Sequence, residues 1–111
     1  MDLEKYSLGF DEIFYETLVY KNECIKLVFY SGVLTDIILG SGYAGNFLGL
    51  RIGDRLPKSI ESYDIIFNDQ QDEFLFKQDD VFLHGISIGT DCRSSLENIP
   101  LQLVQKIRVF R

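Results

Sequence analysis

The sequence predicts one α+β domain, in which a mostly antiparallel sheet of five to seven strands carries one or two short helices on one face. At 111 residues the chain is long enough for one hydrophobic core and too short for two, so residues 1–111 are expected to form a single domain. A hairpin is the clearest local signal. Apolar and β-branched residues fill Cys24–Tyr30 and Val33–Leu39, and Ser31-Gly32 between them supplies the positive φ of a tight turn.

The segment before this hairpin carries a weaker signal. Residues 1–9 are expected to form a lightly tied N-terminal arm. Two periodicities compete in Asp11–Tyr20: the composition IFYETLVY is typical of a strand, whereas one face of a short helix would carry Phe10, Ile13, Phe14 and Leu18. Both alternatives remain open at this point.

Glycines dominate the stretch after the hairpin. They are closely spaced across Gly40–Gly53 and predict a loop with one short strand at Phe47–Arg51. Asp54 then provides a helix N-cap, and Pro57 is tolerated in a first turn. The apolar residues that would form the buried face of this helix, at spacings of i, i+4 and i+7, are Leu56, Ile60 and Tyr63.

The second half of the chain reads as strands joined by polar turns. Tyr63–Phe67 and Glu73–Lys77 are predicted to pair across the turn NDQQD, and Val81–Gly89 forms the next strand, with Phe82, His84, Ile86 and Ile88 on one face. A loop over 91–98 precedes a final strand within Pro100–Phe110.

Composition indicates an ordinary globular protein. Hydrophobic residues make up 46% of the chain, which is ample for a core. The acidic N-terminus differs from a secretory signal, and no apolar run reaches the roughly 18 residues of a membrane span, so a cytoplasmic location is expected. Cys24 and Cys92 are far apart in sequence, and in that compartment we expect both thiols to stay reduced.

No motif predicts catalysis, a metal site or a cofactor. Gly40–Gly45 matches G-x-G-x-x-G, but Gly49 and Gly53 interrupt the helix that a dinucleotide site needs. His84 is the only histidine, and we expect it to be a partly buried strand residue. We therefore predict that the protein is not an enzyme.

The net charge of −6 is concentrated in one segment. Residues 61–80 hold seven acids and one base, Lys77, while the rest of the chain is neutral. Such a segment is either a solvated acidic face or a surface that steers a basic partner. Phe74 and Phe76 share one face of a strand there, and we expect both in the core. The candidate contact residues are Glu61, Tyr63, Asp69, Asp72, Glu73, Asp79 and Asp80.

A family resemblance agrees with the second interpretation. The segments KLVFYSGVLTDIIL, GNFLGLRIGDRLPKSIESY, DIIFNDQQDEFLF and GISIGTD, within residues 24–92, resemble small bacterial immunity proteins, including those of contact-dependent growth inhibition systems. The resemblance implies a monomer that binds and neutralises the C-terminal domain of a cognate toxin, often a basic nuclease. It implies no cofactor, no direct contact with nucleic acid, no membrane association and no inherited site residue.

A second hypothesis remains. The glycine-rich loop 40–53 is also compatible with a small-ligand or regulatory module, which would be stabilised by a metabolite or nucleotide and not by a toxin.

Overall fold

The computed structural model describes residues 3–10, 13–20 and 24–111 of the chain, and side chains from Thr17 to Val19 and from Cys24 onward. Within these residues the protein is all-β and contains no helix. The predicted α+β class is therefore wrong. The antiparallel character of the sheet is confirmed, but helices do not cover it.

Twelve strands occur in the described part of the chain, so the predicted sheet of five to seven strands is too small. They are β1 (Leu3–Phe10), β2 (Ile13–Tyr20), β3 (Ile25–Tyr30), β4 (Val33–Leu39), β5 (Asn46–Phe47), β6 (Leu50–Arg51), β7 (Ser59–Ile60), β8 (Tyr63–Asn68), β9 (Glu73–Gln78), β10 (Val81–Phe82), β11 (Ile86–Thr90) and β12 (Val104–Phe110). Ten belong to one sheet with the order β1-β2-β3-β4-β12-β11-β9-β8-β7, in which β10 also pairs with β9. The pair β5-β6 forms a separate small sheet.

The first hairpin is confirmed, and the N-terminal segment extends it. Tyr30 faces Val33 across a two-residue turn in which Ser31 has φ 48° and Gly32 has φ 80°, the conformation expected for a tight hairpin. The predicted N-terminal arm is wrong, because β1 pairs with β2 along its whole length. Of the two alternatives for Asp11–Tyr20, the strand is the correct one, since Ile13–Tyr20 forms β2. Residues 1–2 and 11–12 lie outside the described part.

The predicted helix after Asp54 is also wrong. The carboxylate of Asp54 accepts a hydrogen bond from the N–H of Arg51, three residues earlier, whereas an N-cap side chain bonds to residues that follow it. The N–H of Leu56 donates to the C=O of Gln102 at 2.9 Å, and the N–H of Val104 donates to the C=O of Asp54 at 2.8 Å. Long-range pairing therefore satisfies the backbone groups that a helix would have paired locally.

The core lies on one face of the β8, β9, β11 and β12 region. Phe74 and Phe76 are both buried, as predicted. Instead of helices, segment 46–57, which contains the small β5-β6 sheet, and the irregular segment 91–103 cover this face. They contribute the buried side chains of Leu50 and Leu56 and the half-buried side chain of Leu96.

The predicted strand Val81–Gly89 is interrupted. β10 and β11 are separated by a turn in which Gly85 has φ 92°, and a Cβ at Gly85 would stand 3.0 Å from the C=O of Phe110. Only glycine fits this close approach without strain. His84 lies in the turn and is exposed, so the expectation of a partly buried strand position is wrong. Its ring contacts that of Phe110.

Candidate functional site

The predicted contact residues divide between opposite ends of the β8–β9 hairpin. Because the two strands are antiparallel, the turn at Glu61 and the turn at Asp79-Asp80 lie at one end, whereas Asp69 and Asp72 lie at the other. The six residues of β8 place the two ends about 17 Å apart. The acidic segment is therefore two separate surfaces and not one continuous face.

The first of these surfaces combines charge with exposed apolar side chains. We call it the acidic corner, and its residues are Glu61, Asp79, Asp80, Val81 and Phe82. The two turns that build it are tied together by a hydrogen bond from the Gln78 side chain to the Ser62 hydroxyl, at 2.9 Å. The corner is thus formed by adjacent turns on a shared framework.

The backbone of the acidic corner is tightly constrained. Asp79 and Asp80 have φ of 50° and 62° and connect Gln78 to Val81, its cross-strand partner, as a two-residue hairpin turn. Both central residues of such a turn need positive φ, a position that glycine and asparagine usually occupy. Glu61 also has a positive φ, of 52°. The local chain therefore accepts backbone strain where it presents carboxylates.

Apolar side chains adjoin these carboxylates. Val81 and Phe82 follow directly after the acidic turn, and their side chains are 67% and 47% exposed. The Nζ atom of Lys77 lies 5.4 Å from the centre of the Phe82 ring and 3.6 Å from an oxygen of Asp80. Since the Asp80 side chain is almost wholly exposed, this ion pair stabilises the fold little, and Lys77 offsets only one of the corner's three carboxylates.

The opposite end of the hairpin carries less free charge. Asp72 forms an ion pair with Arg93, with Nη2 and Oδ2 at 3.3 Å, while Asp69 is exposed. The turn is stabilised from within, because the N–H of Gln70 donates to the Asn68 side chain. Of the two ends, the acidic corner therefore has the larger uncompensated negative charge.

Two of the predicted contact residues are unsuited to an exposed interface. Glu73 is 5% exposed and binds Arg108, with Nε at 3.0 Å from Oε1. Tyr63 is half-buried and packs edge-on against Phe76, with the ring centres 6.3 Å apart. Glu73 belongs to a charged network on the face of the sheet opposite the core, and Tyr63 belongs to the edge of the core.

The charged network around Arg108 is fully paired. Its guanidinium also donates to Asp36 at 2.9 Å and to the side chain of Gln71 at 3.0 Å, and Ser87 donates to Glu73 at 3.1 Å. Burial acts to lower the pKa of Arg108, but the hydrogen bonds and charges of Asp36 and Glu73 outweigh it and raise that pKa overall. Because the carboxylates of Asp36 and Glu73 both bind Arg108 on the face of the sheet, the network has a structural role.

Sequence reasoning missed Val81 and Phe82 as surface residues. The sequence pattern places them in one strand with Ile86 and Ile88, whose side chains are buried. The signal that distinguishes them is Gly85, which ends the short β10 pairing and starts a new register against β12.

The groups considered for chemistry are not assembled into a site. β11 separates His84 from Cys92, and both cysteines are free. Partial burial, followed by the contact with Asp91, raises the pKa of the Cys92 thiol, which disfavours the nucleophilic thiolate. The described residues hold no cluster of three or more metal-ligating side chains. The glycine-rich loop contains β5 and β6 and packs Phe47 against Phe76, with ring centres 5.2 Å apart.

Comparison with known proteins extends the description of the fold. No model of a protein family matches the chain, and no curated protein sequence matches it. The crystal structure of the uncharacterized protein YfeY from Escherichia coli does match, with a TM-score of 0.67 and 13% sequence identity over 99% of this chain and 82% of that chain. The chain therefore shares an all-β fold with YfeY, and an identity this low shows the fold alone.

None of the described segments forms a helix with the length and apolar character that crossing a bilayer requires.

Proposed function

We propose that this protein is an immunity protein that binds and neutralises a cognate bacterial toxin domain, and that the acidic corner is the contact surface. The observation that carries the proposal is that three exposed carboxylates on a constrained pair of turns are followed directly by two exposed apolar residues of β10, Val81 and Phe82, one on each face of the sheet. This combination suits a protein partner better than it suits a small solute.

The charges supply the first step of recognition. Glu61, Asp79 and Asp80 extend from neighbouring turns, and Lys77 is the one base of the acidic segment. Their field attracts a positively charged surface and repels the phosphate backbone of nucleic acid. A nuclease domain presents the cationic surface that binds phosphates, so an acidic inhibitor is complementary to it.

The apolar side chains supply the second step. Binding energy in protein interfaces comes mainly from a few anchor residues that lose contact with water. Val81 and Phe82 are exposed in the free protein and lie directly beside the carboxylates. Because a two-residue turn and the pairing with β9 fix their backbone, little conformational entropy is lost when a partner covers them.

A protection assay tests the proposal. Cells that express the toxin domain encoded immediately upstream are expected to survive when they also produce this chain. The double variant Asp79→Lys/Asp80→Lys is expected to protect less, because it reverses the charge of the corner. Asp69→Lys, at the far end of the hairpin, is the matched control and is expected to protect as well as the parent. Equal protection by all three proteins would place the contact elsewhere, and no protection by the parent would refute the proposed function.

Thermal unfolding of the purified protein separates this function from that of a ligand-binding module. A module that uses loop 40–53 would gain thermal stability from a metabolite or nucleotide and none from the toxin. An immunity protein is expected to show the reverse.

A further inference from the structure

The outer edge of β8 is only partly occupied. β7 pairs with β8 at Tyr63 and Asp64, and the N–H of Ile65 donates to the C=O of Lys58 at 3.0 Å. The next residue along the edge is Pro57, which has no N–H to donate and so cannot continue the ladder. The chain then turns into the core at Leu56, and the rest of the β8 edge is left open.

The direction of the main-chain groups on this open edge follows from the register. Since the N–H of Ile65 points away from β9, the N–H and C=O of Phe67, two residues later, point the same way. On the other strand, the C=O of Phe76, opposite Ile65, accepts from Leu83 and likewise points away from β8. Among the described residues, neither main-chain group of Phe67 has a hydrogen-bond partner.

A groove of about 500 Å³ lies beside these groups. Its floor is apolar and includes Phe67, Phe74 and Leu96. Three charged residues line it, namely Lys58, Asp69 and Glu97, so acids outnumber bases. A half-buried strand edge with unpaired hydrogen-bonding groups and an apolar floor has the features that extended peptides use when they add to a sheet.

We propose that this groove binds an extended peptide segment of a partner protein, which adds to the sheet as a further strand beside Phe67. The peptide residue opposite Phe67 exchanges two hydrogen bonds with its N–H and C=O. Directly opposite residues share a face of the sheet, so the side chain of this peptide residue enters the groove beside Phe67 and Leu96 and is apolar. The excess of acids at the groove selects a lysine or arginine two positions away, on the same face.

This inference is independent of the proposed toxin binding, because the groove and the carboxylates of the acidic corner lie near opposite ends of β8. The acidic corner lies beyond the first residue of β8, whereas the open edge lies near its last. Variants of the corner are therefore internal controls for the groove.

The test uses random peptides of about seven residues displayed on phage and selected on the whole protein. Enriched sequences are expected to carry an apolar residue with lysine or arginine two positions away. In a synthetic copy, N-methylation of the residue opposite Phe67 removes one hydrogen bond and is expected to weaken binding about tenfold. N-methylation of the adjacent residue, whose N–H points away from β8, is the matched control, with a change below about twofold.

The protein side of the same experiment locates the site. Bound peptide is expected to slow hydrogen exchange at the Phe67 amide, Glu97→Lys is expected to weaken binding, and Asp79→Lys/Asp80→Lys is expected to leave it unchanged. The proposal is overturned if selection enriches no sequence, if both N-methylated peptides bind equally, or if exchange at Phe67 does not change.

Discussion

The guanidinium of Arg108 binds the carboxylate of Glu73 through two nitrogens, with Nε at 3.0 Å and Nη2 at 2.9 Å from Oε1. The residues come from β12 and β9, which are separated in the sheet by β11. The pair therefore joins two strands that have no backbone hydrogen bonds to each other. Both side chains are largely buried.

Removal of the arginine is expected to destabilise the protein strongly. Arg108→Met leaves Glu73 buried with Lys106, at 3.7 Å, as its one remaining positive neighbour among the described side chains. We expect a loss of about 3 kcal/mol in the free energy of unfolding, measured by urea denaturation. The double variant Glu73→Leu/Arg108→Met removes the buried charge as well and is expected to recover most of the loss. A double variant as unstable as the single one would contradict this explanation.

Two phenylalanines on paired strands, Phe76 in β9 and Phe82 in β10, give a direct contrast between core and surface. Phe76 is fully buried, and Phe76→Ala is expected to cost about 3–5 kcal/mol in the free energy of unfolding. Phe82 is half exposed, and Phe82→Ala is expected to cost less than about 1 kcal/mol. Comparable losses in the two variants would show that Phe82 is not a surface residue.

Gln102 organises the segment that covers the core. Its amide nitrogen donates to the C=O groups of Ser94, Ser95 and Ile99, and its amide oxygen accepts from Thr90. Gln102→Leu removes these hydrogen bonds: the C=O of Ser95 keeps the N–H of Ile99, whereas the C=O groups of Ser94 and Ile99 and the Thr90 hydroxyl lose a partner, and we expect a loss of about 2–4 kcal/mol in the free energy of unfolding.

Hydrogen exchange at the Ile99 amide, which donates to the C=O of Ser95, reports the loosening of this segment in the Gln102→Leu variant. The exposed neighbour Gln105 supplies the matched control, since Gln105→Leu is expected to change neither stability nor exchange by a comparable amount. Unchanged exchange at Ile99 in the Gln102 variant would be evidence against this role.

Asp91 makes the stability of the fold depend on pH in the acid range. Hydrogen bonds from the Leu103 N–H, at 3.0 Å, and then from the Cys92 thiol lower its pKa below the ordinary value of 3.8. A lowered pKa in the folded state means that the carboxylate stabilises the fold above pH 3.8, and that this contribution is lost as the pH falls through the folded value. In Asp91→Asn we therefore expect a shallower loss of stability on acidification from about pH 5 to about pH 2. Identical pH profiles for parent and variant would rule this out.

Local patterns predicted the hairpins well, because the conformation of a hairpin turn depends on residues adjacent in sequence. Ser31-Gly32 and the polar turn after Asn68 both stand where the sequence places them. The helix failed for the opposite reason. The spacing of Leu56 and Ile60 suits a helix, but the hydrogen bonds that decide the outcome come from Gln102 and Val104, nearly fifty positions away. No local pattern contains that information.

The candidate site was predicted in part. Charge counting found Glu61, Asp79 and Asp80, which are exposed, but it also included Glu73, which is buried against Arg108. A one-dimensional count treats the acidic segment as one surface, whereas antiparallel pairing sends alternate turns to opposite ends of the hairpin. The open edge beside Phe67 was not predicted, since it depends on where Pro57 stops the ladder of β7.

The association rate with the upstream-encoded toxin domain, measured as a function of salt, tests the role of the acidic corner most directly. At low ionic strength we expect Asp79→Lys/Asp80→Lys to bind about tenfold more slowly than the parent, and at about 0.5 M salt we expect the difference to shrink to about twofold. Asp69→Lys is expected to follow the parent at both salt concentrations. If the double variant associates as fast as the parent at low salt, the corner is not the surface that meets the partner.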